Sequence, residues 1–88
     1  MYTVRLSQKA VEAVARLDVS QRRIISRWVE KHLEGCVDPR ASGKALQGPL
    51  KGLWRYRVGD YRLIAQIHDQ EVYIEIVNIG HRRQIYSR

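Results

Sequence analysis

The chain has 88 residues, 44% hydrophobic and 28% charged, a composition that supports one packed core and excludes both a second core and a disordered polymer. Sixteen Lys and Arg against nine Asp and Glu leave a net charge of +7, so charge favours a polyanionic partner: nucleic acid, an acidic protein or an anionic membrane. The single cysteine, Cys36, excludes an internal disulfide and supplies no metal cluster, and without a signal-like or bilayer-length apolar run the expectation is a cytoplasmic protein.

The stretch "YTVRL" at 2–6 alternates in hydropathy and predicts a short strand. Ser7 suits a helix N-cap, opening "QKAVEAVARL" with Ala10, Val11, Val14 and Leu17 at helical spacing. Asp18 or Ser20 caps a second helix, "QRRIISRWVEKHLE", whose stripe is Ile24, Ile25, Trp28, Val29 and Leu33, with Gly35 as terminator. The short connection predicts two antiparallel helices of similar length. Residues 35–52 hold both prolines and four glycines and read as a loop, anchored in the core by Leu46.

From Leu53 the period becomes two. Trp54, Tyr56 and Val58 share one face and Arg55 and Arg57 the other. Gly59 and Asp60 make a tight hairpin turn into "YRLIAQI", with Tyr61, Leu63, Ala65 and Ile67 inward and Arg62, Ile64 and Gln66 opposite. After the turn "HDQE", Val72, Ile74 and Ile76 face the core and Tyr73, Glu75 and Val77 point outward. The expected fold is α+β: a twisted, mainly antiparallel four-stranded sheet in the order β-α-α-β-β-β, with an N-terminal helical hairpin on one face, all within one domain at 1–88. Arg55, Arg57 and Arg62 then share the face the helices leave bare, with Glu75 the obvious acid to pair them. Such a face is either an anion site or an ordinary solvated surface. His32 and His68 are expected in solvent, Trp28 and Trp54 in the core. Arg22, Arg23, Arg27 and Lys31 form a second basic face along the longer helix.

"LxG" at 46–48, "WRYRVGDYRL" at 54–63 and "IGHRRQIY" at 79–86 together resemble the RelE branch of the RelE/ParE toxins of toxin–antitoxin pairs. The resemblance spans nearly the whole chain and implies a ribosome-dependent mRNA interferase that cuts the message in the A site, neutralised by a cognate antitoxin. It implies operator DNA as a partner only through the antitoxin complex. No metal or organic cofactor is expected, because the carboxylate or His/Cys ligand clusters they need are missing, and no membrane partner is expected. Arg62 matches the sheet arginine beside the scissile phosphate, Arg82 the second essential arginine and Tyr86 the C-terminal tyrosine. His81 stands in the "GHR" variant of the motif, and Arg55 and Arg57 occupy positions where well-known members carry lysine. Arg62, His81, Arg82 and Tyr86 are thus the expected catalytic set, and Arg55, Arg57 and Arg83 the expected RNA-phosphate contacts.

Those residue types suit attack of a 2′-hydroxyl on the adjacent phosphate. A guanidinium grips phosphate with a fixed fork and keeps its charge, so it stabilises charge but is a poor proton carrier. An imidazole, with an ordinary pKa of about 6.5, serves as either acid or base. Which group plays which role stays open at this level. Two further functions remain: a ParE-like inhibitor of DNA gyrase without nuclease activity, and a non-catalytic nucleic-acid-binding module.

Overall fold

The computed structural model describes residues 1–85. Strand β1 (Thr3–Leu6) leads into helices α1 (Gln8–Ala15) and α2 (Val19–His32). Then come β2 (Lys44–Ala45), a 3₁₀ turn at Gly48–Leu50, β3 (Trp54–Val58), β4 (Tyr61–His68) and β5 (Tyr73–His81). The sheet has five strands in the order β1-β5-β4-β3-β2. β1 runs parallel to β5, and every other pairing is antiparallel. The fifth strand is β2, hidden in the stretch read as loop: Lys44 pairs with Arg55 and Ala45 with Trp54. Gly43 permits it, because its φ is +82° and a Cβ there would collide with the Arg55 carbonyl and the Trp54 ring.

The helices are unequal, eight residues against fourteen. Both N-caps act through side chains: Ser7 accepts from the Ala10 amide, and Asp18 accepts from the Gln21 amide. α1 lies on β5 through Ala10 and Ala13, whose small side chains permit close approach, and this leaves Val11 exposed rather than inward. Ile24 is likewise exposed, since α2 meets the core through Ile25, Trp28, Val29 and Leu33. Tyr56, Leu63, Ala65, Ile74 and Ile76 supply the sheet side of that core.

The β4–β5 ladder contains a bulge. Ala65 pairs with Ile76 but Ile64 pairs with Asn78, so Val77 is an extra residue in β5. The Ser7 hydroxyl donates to the Val77 carbonyl, 2.9 Å. Parity therefore reverses along β5, and Ile74, Ile76 and Ile79 are all buried on the helix side. Val72, expected in the core, instead closes the β4–β5 turn with φ +59°, a conformation that β-branched residues resist.

Beyond the opposite edge of that turn, Asp69 clamps the long connection. Arg40 donates both Nη atoms to its two oxygens at 3.0 Å, and Tyr2 donates its hydroxyl at 2.8 Å. The Arg40 guanidinium, then the Tyr2 hydroxyl, hold the Asp69 carboxyl below its ordinary pKa. A depressed folded-state pKa contributes stability above the unfolded value, about 3.9, and loses it as pH falls through the folded value. The melting-temperature gap between wild type and Asp69→Asn should be open at pH 7 and close in acid below about pH 4, measured by thermal unfolding across pH.

Candidate nucleic-acid interface

The hairpin of β3 and β4 places the first two arginines. Val58 pairs with Tyr61 across the two-residue turn Gly59–Asp60, and Gly59 at φ +61° occupies the first central position, the pattern of a type II′ turn. Arg57 and Arg62 are direct cross-strand partners on the face away from the helices. Directly opposite residues hold their Cβ atoms about 4.5–5.5 Å apart, and like charges there repel. The protein thus holds two cations close together on one surface. Arg62 also donates to the Tyr61 carbonyl at 3.3 Å. One row along, Arg55 sits between Lys44 and Ile64, and its Nε is buried with no hydrogen-bond acceptor among the described residues.

Arg82 follows directly after β5. Its amide donates to the Asp60 carbonyl at 2.8 Å, and its Nε lies 3.8 Å from Asp60 Oδ1, which ties it to the turn that carries Arg62. Both side chains of this ion pair are half-exposed or more, so its net stabilisation is small and its value is positional. Arg83 is exposed beside it. Tyr86 lies outside the described residues.

His81 lies on the opposite side of the sheet from Arg62. It pairs with Tyr61, the inward residue of β4, while Arg62 pairs with Gly80. The bulge at Val77 causes this, because plain alternation from Ile76 would have set His81 on the arginine face. Its ring meets Tyr61 edge-on at 5.6 Å, and its Nδ1 accepts the Arg83 amide at 3.2 Å. His81 also borders a cleft of about 350 Å³ against the end of α1, with Arg16, Asn78 and Gln84 on its walls.

Glu75, expected to pair the arginines, lies 3.4 Å from His68 Nε2 instead. His68 is half-buried, not solvated, and stacks on Tyr73 at 4.2 Å and 8°, with the Arg5 guanidinium over Tyr73, also at 4.2 Å. His32 stacks on Trp28 at 4.5 Å. The sheet face opposite the helices is also not bare. Ile64 is only 4% exposed there, on the floor of an apolar groove of about 560 Å³ walled by Leu46, Leu50, Leu53, Val77 and Ile85. Leu46 thus packs on this face rather than in the helix-side core. The signal for the groove is present in Leu46 and Leu50 of the Gly/Pro-rich stretch and Leu53 just after it, which an ordinary solvated loop would lack. Among the described residues no group of three or more His, Cys, Asp or Glu gathers as metal ligands, and no helix is long and apolar enough to cross a membrane.

Residues 4–86 match the family described as ParE toxin of type II toxin–antitoxin system, parDE. The chain belongs to this toxin family. Proteins named RelG and RelE are among those it is similar to. Toxin RelG of Mycobacterium tuberculosis is 33% identical over 88 residues, covering 99% of this chain and 98% of that protein. One chain of the toxin–antitoxin complex RelBE2 of Mycobacterium tuberculosis superposes with a TM-score of 0.83 at 28% identity, covering 92% of this chain and 91% of that one. The isolated E. coli RelE toxin shares the fold, with a TM-score of 0.71 at 19% identity over 92% of this chain and 84% of that one. Like these toxins, the chain joins two helices to a mostly antiparallel sheet.

Proposed function

We propose that this toxin-family chain is a ribosome-dependent endoribonuclease that cleaves mRNA in the A site and is neutralised by a cognate antitoxin. The observation that carries the reading is the cross-strand Arg57–Arg62 pair with Arg82 tethered beside it at the Asp60 turn. Three guanidinium groups on one end of a sheet suit the extra negative charge of a phosphoryl transition state. In the proposed reaction the 2′-oxygen attacks the adjacent phosphorus and the bond to the 5′-oxygen breaks. The products are a 2′,3′-cyclic phosphate and a 5′-hydroxyl. Arg62 and Arg82 clasp the non-bridging oxygens, while Arg55, Arg57 and Arg83 hold flanking phosphates.

The proton of the attacking 2′-hydroxyl passes to water, and the departing 5′-oxygen takes a proton from water. With Nδ1 accepting the Arg83 amide, the neutral His81 ring carries its hydrogen on Nε2 and offers a hydrogen bond at the edge of the site. Tyr86 completes the set as a hydrogen-bond donor or a base-stacking ring. The mechanism calls on no metal or organic cofactor. The antitoxin is the partner expected to cover the cationic face and the groove over Ile64, with acidic side chains in the places of phosphates. The toxin then reaches operator DNA only through that complex, and works in the cytoplasm, where ribosomes are.

A reconstituted translation reaction tests the reading. Wild type should create new message ends at codon-phased positions inside coding regions, and Arg82→Ala should not. The family description also names ParE, which favours a second reading as an inhibitor of DNA gyrase. Intact messages together with a block in gyrase supercoiling would establish that reading instead.

A further inference from the structure

The proposed reaction leaves unexplained why His81 sits on the helix side of the sheet in a cleft of its own. The geometry points to a nucleobase subsite in this cleft, taking the base next to the cleaved phosphate and reading its edge through Gln84. This inference rests on the endoribonuclease reading and assigns that site its specificity pocket.

The walls suit a base. Leu17, Ile79 and Ile85 are apolar, and Tyr61 and His81 bring two rings together at 5.6 Å and 77°. Splayed single-stranded bases pack on aromatic rings while their edges meet polar groups. Gln84 is exposed and lines the cleft, and its amide offers both a donor and an acceptor to a base edge. Asn78 is less available, because its Oδ1 already accepts the Ile79 amide at 3.0 Å. Arg16, at the C-cap of α1, stands on the same wall and offers a cation to the next phosphate. The volume, about 350 Å³, falls within the range of small-molecule sites, roughly 300–1,000 Å³. The route into it is short. Arg62 and Gly80 are paired on one face, and Tyr61 and His81, one residue along, are paired on the other. A strand whose phosphate lies at Arg62 and Arg82 needs only to turn over the end of β5 to seat its neighbouring base.

The test uses the purified full chain, labelled for amide NMR and titrated separately with AMP, GMP, CMP, UMP and ribose 5-phosphate. The nucleotides should shift the Ala13, Tyr61, His81 and Gln84 amides, with one base favoured, and ribose 5-phosphate should leave those amides in place. Gln84→Ala should shrink the ratio between the best and worst base about tenfold, and Gln84→Glu should re-rank the bases by removing the amide donor. Equal shifts from ribose 5-phosphate, or an unchanged ranking in both Gln84 variants, overturn the subsite. No turnover is involved, so the two readings fail separately. Base binding without new message ends removes the nuclease and keeps the cleft, and new ends without base binding in the cleft do the reverse.

Discussion

Replacing Arg62 with alanine should lower message cleavage about 10²–10³-fold, the usual loss when one donor to a developing oxyanion is removed. Arg62 stands opposite Arg57 and Gly80, and a circular-dichroism melt of the variant separates lost chemistry from lost fold. Arg82→Ala should fall into the same range, because Asp60 tethers Arg82 to the turn that begins the Arg62 strand. The decisive measurement is the double variant under single-turnover conditions. Two groups that clasp one phosphate act as a unit, so the double variant should be little worse than either single. A loss equal to the product of the two singles would mean that the arginines serve different phosphates. Arg62→Lys should not restore activity, since an ammonium lacks the planar fork.

The largest effect on stability is expected at Tyr56. Its side chain is fully buried, packs against Trp28 at 5.7 Å and donates its hydroxyl to the Pro39 carbonyl at 2.6 Å. Burial pushes the phenol well above its ordinary pKa, so the hydroxyl keeps its proton and remains a donor. Tyr56→Ala should cost about 3–5 kcal/mol, the range for truncating a buried aromatic. At roughly 0.05–0.15 kcal/mol per residue, a chain this short has about 4–13 kcal/mol in all. The alanine variant should therefore lose a large share of its stability and melt well below wild type. Tyr56→Phe separates the ring from the hydroxyl. Leaving the Pro39 carbonyl without its donor should cost about 1–2 kcal/mol, a fall in melting temperature of roughly 4–16 °C. A Phe variant that melts with wild type would show that this hydrogen bond contributes nothing net.

Much of this architecture is legible in the chain because alternation is a local property. β3 and the first half of β4 follow the period-two pattern residue by residue, so Arg55, Arg57 and Arg62 were assigned to one face correctly. Ser7 announces its helix through a side chain that meets an amide three residues on, and such short-range bonds depend on little else. What escaped depends on distant partners. The strand at Lys44–Ala45 exists because Arg55 and Trp54 lie beside it, and composition alone marks those residues as loop. Glu75 was free to pair any cation in the sequence, and the stacked His68 and Tyr73 decide that it meets His68. Val11 and Ile24 fit the helical spacing, but the narrow contacts of short helices on a twisted sheet leave them outside.

The extra residue at Val77 makes β5 a strand with a phase slip. Its first half serves the core in one phase, and its last residues carry Ile79 and His81 in the other. Deleting Val77 would bring the two into step. His81 would swing to the side of the guanidinium cluster, Ile79 would turn into solvent, and Gly80 would leave a hole where an isoleucine had been. Which side of the sheet His81 faces is therefore decided by a single amino acid earlier in the same strand.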